Sequence, residues 1–107
     1  MKTSEHRVAV VQAAPAAFDL EATLAKVEAL TSEAAVQGAR LVLFPEAFVG
    51  AYPRGLSFGV TVGDRSSEGR EQYRTYWEAA IEVPGAATAR LGAMAGTIFA
   101  IGLAAFI

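Results

Sequence analysis

The sequence predicts an α/β protein built on a parallel sheet, and three observations support this fold class. Two short apolar runs, residues 8–11 and 41–44, are bounded by polar or turn-forming residues, as buried strands are. An amphipathic stretch over residues 20–37 lies between them. Because short joints connect the three segments, they form a β-α-β unit with parallel strands and a right-handed crossover.

The composition limits the size of the protein and excludes several function classes. A chain of 107 residues allows one domain with a modest core, and 53% apolar residues exclude a disordered chain. The net charge of −2 and the scattered Lys and Arg residues offer no surface for nucleic acid. Because cysteine is absent, disulfides and thiolate metal sites are excluded. We expect neither a metal nor a cofactor.

Membrane and export signals are not found in the sequence. No stretch reaches the ~18 consecutive apolar residues that a membrane helix needs. The first seven residues carry charges of both signs and lack an apolar segment, unlike a signal peptide. We therefore expect a cytoplasmic protein with no membrane partner.

The first helix has clear start and stop signals. Asp19 is a candidate N-cap, and Glu21 in the first turn favours the positive end of the helix dipole. Gly38 is suited to the position just after the helix. The apolar stripe at spacings of three and four comprises Leu20, Leu24, Val27, Leu30 and Ala34.

The second strand ends at a proline that is followed by an acid. Pro45 lacks a backbone donor and favours an extended Phe44, so the strand closes there. Glu46 therefore follows the carboxyl end of a parallel strand, the edge where ligand crevices form in open α/β sheets. From this local context alone, the alternative is a solvated loop carboxylate.

The rest of the chain predicts a loop, two helices and a strand. Residues 50–69 lack periodicity and form a long loop, which the aromatic residues Tyr52 and Phe58 indicate is ordered. Residues 71–81 form an amphipathic helix whose aromatic stripe we interpret as packing, with substrate contact by Trp77 as the alternative. A helix over residues 86–95 and a third parallel strand over residues 97–101 follow.

Three segments carry a resemblance to a known family. FPEAFVGAYPRG, residues 44–55, resembles the glutamate motif of the nitrilase superfamily, the carbon–nitrogen hydrolases. Its extension through GDRSSEGREQYRTYWEAAIEVPG resembles the nitrilase branch, and VAVVQAAP resembles the first strand of the family. The resemblance covers residues 7–95. It implies that residues 1–107 are the amino-terminal part of a four-layer αββα sandwich, apparently truncated within an apolar tail over residues 96–107.

The resemblance also implies a chemistry. Family members hydrolyse non-peptide carbon–nitrogen bonds, for example a nitrile to a carboxylic acid and ammonia through a cysteine thioimidate. Glu46 matches the family's glutamate, so its implied role is the general base. Tyr52 and Arg54 follow it and are candidate residues for binding a nitrile or amide substrate. Loop packing, solvation or a subunit contact is the alternative for these two residues.

The sequence departs from the family pattern at the other catalytic positions. The family's lysine and cysteine have no match here, since Lys2 and Lys26 are the only lysines and cysteine is absent. Loss of the nucleophile from such a set costs on the order of 10⁶ in rate. We therefore expect the 107-residue chain to be inactive by itself. For Glu46 we expect burial behind Phe44, Pro45 and Phe48, which raises the pKa of a carboxyl and suits proton transfer.

Two non-enzymatic interpretations remain open. One is a non-catalytic fragment that associates through its exposed sheet, and the other is a small independent α/β binding protein. Because helices are expected on only one face of the sheet, we expect its strand residues to be partly wet and the chain to form homo-oligomers or aggregates. The strand residues concerned are Val8, Val10, Val42 and Phe44.

Overall fold

The structure is a computed structural model that describes residues 3–51 and 66–96, together with the backbone of residues 100–103. The predicted Tyr52 and Arg54 site lies outside the described residues. The elements in chain order are β1 (Val8–Val10), α1 (Leu20–Val36), β2 (Leu41–Phe44), α2 (Ser67–Glu78), α3 (Ala86–Ala95) and β3 (Ala100–Leu103).

The described strands form one parallel sheet in the order β1-β2-β3. Val8 is paired with Leu41, and Leu41 is paired in turn with Ala100. The N–H of Val11 donates to the carbonyl of Leu43 at 2.8 Å, so the pairing continues one residue beyond β1. The predicted parallel β-α-β unit is confirmed. A third parallel strand is also present, at Ala100–Leu103 rather than at the predicted residues 97–101, of which 97–99 lie outside the described residues.

The predicted ends of α1 are confirmed by its caps. The Asp19 carboxylate accepts a hydrogen bond from the N–H of Ala22 at 3.0 Å, which satisfies one free donor of the first turn. Gly38 has a φ of 84°, the left-handed conformation that ends many helices and that glycine adopts without steric cost.

The core lies on one face of the sheet only. Val42 and Phe44 are 0% and 1% exposed and belong to one apolar cluster with α1 and α3 residues such as Val27 and Leu91. Side chains alternate between the faces of a strand, so the neighbouring positions point the other way. These are exposed: Val8, Val10, Leu41 and Leu43.

Two expectations about the sheet therefore need correction. The interpretation of residues 8–11 and 41–44 as buried strands is correct for one face only, because in the described part of the chain helices cover one face of the sheet and leave the other open. The expectation of wet strand residues is correct for Val8 and Val10, which are 50% and 67% exposed. It is wrong for Val42 and Phe44, because their side chains point toward α1 and α3.

Helix α2 begins earlier than predicted, while α3 has the predicted bounds. The Ser66 hydroxyl accepts from the N–H of Gly69 at 3.0 Å and starts α2 four residues before the expected position. The interpretation of its aromatic stripe as packing is wrong for Tyr73 and Trp77, which are 50% and 69% exposed. No helix in the described part of the chain is long and apolar enough to cross a membrane.

Candidate active site at the carboxyl edge of the sheet

Two chain segments leave the same edge of the sheet. Because β1 and β2 are parallel and in register, their carboxyl ends are adjacent. Residues 12–19 lead from β1 to α1, and residues 45–51 follow β2. A ligand crevice in an open α/β sheet forms where such segments meet. This carboxyl edge is therefore the candidate site.

Glu46 lies in the turn that follows β2, as predicted, but its side chain is exposed. Phe44 and Phe48 are both buried, and their rings pack with centroids 5.3 Å apart. Glu46 is two residues from each of them in the sequence, yet it is exposed whereas both of them are buried. The expected burial of Glu46 is therefore wrong, whereas its placement directly after the strand is confirmed.

The carboxyl edge contains backbone conformations that L-residues rarely adopt. Phe18, Ala47 and Ala51 have φ values of 58°, 54° and 62°, and these are the non-glycine residues with positive φ in the described ranges. All three belong to the two segments that leave the edge. Such conformations cost about 1–3 kcal/mol each and are concentrated at functional sites. Neither Ala nor Phe favours this conformation, so the sequence carries no signal for it.

Buried and surface residues of α1 hold the segment after β1 in place. The Thr23 hydroxyl donates to the carbonyl of Ala16 at 2.9 Å and accepts from the N–H of the same residue at 3.1 Å. The Lys26 ammonium donates to the carbonyl of Ala14 at 2.7 Å. Thr23 is 0% exposed, so its two hydrogen bonds to Ala16 satisfy a buried hydroxyl and also fix the segment after β1. Sequence reasoning missed Thr23, although a threonine within the apolar stripe is the signal.

Helix α2 contacts the segment after β1 through one aromatic pair. The rings of Phe18 and Tyr76 pack edge to face with centroids 6.4 Å apart. Tyr73 and Trp77, one turn apart on α2, are also 6.4 Å apart and tilted. The structure thus brings α2 to the candidate site, although it does not place Trp77 against Glu46.

The resolved pKa shifts belong to exposed ion pairs on the helices. A hydrogen bond from Arg74 holds the pKa of the Glu71 carboxyl below its usual range, and a hydrogen bond to Glu21 raises the pKa of Arg90. Arg90 donates to Glu21 at 2.6 Å and thereby links α3 to α1. Within residues 3–51 and 66–96, no group of three or more His, Asp or Glu side chains could hold a metal ion.

Comparison with known proteins gives a consistent result. The carbon–nitrogen hydrolase family model matches residues 7–104. The chain belongs to the carbon–nitrogen hydrolase family. Within this family it is 54% identical over 90 residues to the bifunctional nitrilase/nitrile hydratase NIT4A of Nicotiana tabacum, covering 84% of this chain and 26% of the relative. The resemblance to the nitrilase branch is thereby confirmed.

Two further relatives of this carbon–nitrogen hydrolase chain come from a plant and a bacterium. Nitrilase 3 of Arabidopsis thaliana is 50% identical over 94 residues, which cover 88% of this chain and 27% of the relative. The aliphatic nitrilase of Sinorhizobium fredii is 48% identical over 88 residues, which cover 82% of this chain and 29% of the relative. The chain thus spans about a quarter of the length of these curated relatives.

Proposed function

We propose that this chain is the amino-terminal part of a nitrilase-type hydrolase that converts a nitrile to a carboxylic acid and ammonia. The observation that supports this most strongly is the high identity to nitrilases over 84% of the chain. The position of Glu46 directly after β2, at the edge where α/β enzymes bind ligands, is consistent with a catalytic carboxylate. Tyr52 and Arg54 are the proposed substrate-binding residues.

The proposed role of Glu46 is proton transfer. A carboxylate beside a thiol accepts the thiol proton as the sulfur attacks the nitrile carbon, and it then returns the proton to the nitrogen. One water attacks the resulting thioimidate carbon, and the C–N bond breaks to release ammonia and leave a thioester. A second water hydrolyses the thioester, which releases the acid and restores the thiol. The exposure of Glu46 leaves its carboxylate accessible to a thiol and a substrate supplied from outside the described residues.

The proposed architecture of the complete domain explains the open face of the sheet. In an αββα sandwich, a second sheet packs about 10 Å from the first and covers its inner face. The exposed Val8, Val10, Leu41 and Leu43 would then become core residues. Under this proposal, the chain supplies part of one sheet and part of the helix layer that covers it. The remaining strands and helices of the sandwich come from the other three quarters of the domain.

A chimera tests the proposal. In tobacco NIT4A, the matched 90 residues are replaced by the corresponding residues of this chain. We expect the chimera to release ammonia from a nitrile that the parent NIT4A hydrolyses, and the isolated chain to release none, because the isolated chain has no cysteine. A folded but inactive chimera would contradict the proposal, and so would ammonia release by the isolated chain.

The exposed face favours a second candidate function. Four apolar side chains on one open sheet face are suited to association, so the chain is alternatively a non-catalytic module that forms homo-oligomers. A Val10→Lys variant places a charge on this face without touching the core. Under this alternative, sedimentation at micromolar concentration shows oligomers for the parent chain and monomers for Val10→Lys. Monomers in both samples would exclude it.

A further inference from the structure

The segment between β1 and α1, residues 12–19, contains a tight turn with an unusual residue in it. The N–H of Asp19 donates to the carbonyl of Ala16 at 3.1 Å, which closes a β-turn over residues 16–19. Phe18 occupies the third position of this turn and has a φ of 58°. Glycine or asparagine is usual at a turn position with positive φ, because the β-carbon of other residues crowds the carbonyl oxygen that follows. The turn is therefore a strained conformation that its surroundings must hold in place.

Thr23 of α1 holds this turn. Its hydroxyl is bonded to both polar backbone groups of Ala16, the first residue of the turn, at 2.9 and 3.1 Å. Because the Thr23 side chain is fully buried, water does not compete for these two hydrogen bonds. Lys26, one helical turn later, donates to the carbonyl of Ala14, but this bond is exposed to solvent. The Thr23 hydroxyl is therefore the main anchor of the turn, and the Lys26 ammonium is a second, weaker one.

The anchored segment is in contact with the other parts of the candidate site. Ala13, at its start, packs against the apolar cluster that also contains Phe48, from the turn that carries Glu46. At its end, the ring of Phe18 packs on Tyr76 of α2. The shape of residues 12–19 therefore determines one side of the carboxyl edge and how α2 approaches it.

We propose that Thr23 is a positioning residue for substrate binding: its hydroxyl, acting through Ala16 and the strained turn at Phe18, keeps residues 12–19 in the shape that forms one wall of the substrate crevice. This inference rests on the proposed nitrilase-type function. Thr23 is buried, so it acts on the substrate only through the backbone that it holds. Without the hydroxyl, the strained turn relaxes and fewer molecules have a wall that can bind substrate. The apparent dissociation constant rises as that fraction falls, and KM rises with it.

A purely structural role for Thr23 predicts a different result. Loss of stability lowers the amount of folded enzyme and thus the maximal rate, but it leaves the KM of the folded molecules unchanged. The test must therefore measure KM separately from kcat. Two substitutions separate the parts of the side chain: Thr23→Val removes the hydroxyl and keeps the branched shape, whereas Thr23→Ser keeps the hydroxyl and removes the buried methyl group.

The tobacco NIT4A chimera that carries the residues of this chain is the enzyme for the test, with a nitrile that the parent NIT4A hydrolyses as the substrate. We expect Thr23→Val to raise KM by about tenfold or more and Thr23→Ser to keep KM within about threefold of the parent chimera. The matched control is Thr31→Val, in a buried threonine of the same helix whose hydroxyl has no hydrogen-bond partner among the described residues. Its KM should be unchanged. An unchanged KM in Thr23→Val, or an equal rise in Thr23→Val and Thr23→Ser, would overturn the proposal.

A second variant covers the case in which circular dichroism shows Thr23→Val unfolded. Lys26→Met removes the weaker anchor of the segment and should fold, because Lys26 is exposed. It should raise KM by about threefold, and an unchanged KM would overturn the proposal.

Amide hydrogen exchange of the isolated 107-residue chain provides a readout that needs no hydrolysis. The N–H of Ala16 donates to Thr23, so it should exchange about tenfold faster or more in Thr23→Val, whereas the N–H of Ala22, which donates to Asp19, should exchange as in the parent chain. Unchanged protection of Ala16 would overturn the anchoring role of the hydroxyl. A parent chimera without activity would contradict the proposed function and the role in substrate binding together. An active parent chimera with an unchanged KM in Thr23→Val would contradict the positioning role alone.

Discussion

The two faces of the sheet differ although their sequences are equally apolar. Val42 and Phe44 point toward α1 and α3 and are buried, whereas Leu41 and Leu43, alternating with them in β2, are each 36% exposed. Continuous apolar runs are typical of strands covered on both faces. The strands thus have the composition of a fully covered sheet, while the described residues cover one face. The comparison shows that a strand sequence reflects the burial of the whole domain.

The largest expected difference between the faces concerns two neighbouring residues of β2. Truncation of a buried Phe leaves a cavity, so Phe44→Ala should lower the free energy of unfolding by about 3–5 kcal/mol. Leu43→Ala, on the open face, should lower it by only about 1–2 kcal/mol, because its side chain is 36% exposed and leaves no enclosed cavity. Urea denaturation of both variants measures the difference.

Equal losses for the two variants would contradict the one-sided core. A larger loss for Leu43→Ala would show instead that the open face is covered in solution, either by a second copy or by residues outside the described ranges. Repeating the denaturation at several protein concentrations separates these two cases, since only association depends on concentration.

A second prediction compares two buried threonines of α1 on the covered side. Thr23 is hydrogen-bonded twice to Ala16, so Thr23→Val should cost about 1–3 kcal/mol and leave two backbone groups without their partner. Thr31 is 1% exposed, and its hydroxyl has no hydrogen-bond partner among the described residues. Thr31→Val should therefore be neutral or stabilise the chain by about 1 kcal/mol. Thermal denaturation of both variants measures the contrast, and a destabilised Thr31→Val would indicate an undetected partner for this hydroxyl.

Features of the fold that depend on a few neighbouring residues can be predicted from the sequence, whereas features that depend on distant layers cannot. The caps of α1 and the bounds of α3 depend on a few neighbouring residues, and both were predicted correctly. The start of α2 was missed because Gly69, two residues into the helix, resembles a loop residue. The position of Glu46 follows from Pro45, but its exposure depends on which layers cover the turn, and no local pattern contains that information.

A smaller effect is expected at the strained turn after β2. Ala47 has a φ of 54°, where glycine avoids the clash of the β-carbon. Ala47→Gly should raise the free energy of unfolding by at most about 1 kcal/mol, because the greater flexibility of glycine in the unfolded chain offsets part of the relief. The matched control is Gly50→Ala in the same turn, where an added β-carbon meets no atom within 4 Å. Destabilisation by Ala47→Gly would show that the left-handed conformation is not adopted in solution.

The smallest effect is expected for the exposed ion pairs of α2. Arg74 donates to Glu71 and also to Glu78, the latter at 2.7 Å, and all three side chains are more than half exposed. The hydrogen bond from Arg74 lowers the pKa of Glu71, so its stabilising effect is present above the usual carboxyl pKa and is lost as the pH falls. Arg74→Gln should change the thermal midpoint little at pH 7 and not at all at pH 2, because solvent screens exposed pairs. A large change in the thermal midpoint at either pH would contradict the small contribution expected from these exposed ion pairs.

The proposed role of Glu46, exposed at the carboxyl edge of the sheet, is that of a general base in a nitrilase-type hydrolase. The most direct measurement is ammonia release by the tobacco NIT4A chimera carrying Glu46→Gln, with a nitrile that the parent NIT4A hydrolyses as the substrate. The control is Glu82→Gln, since Glu82 is another exposed acid outside the candidate site. The account predicts a loss of about 10²–10⁴-fold in rate for Glu46→Gln with an unchanged circular dichroism spectrum, and no loss for Glu82→Gln. Equal rates in the two variants would contradict it.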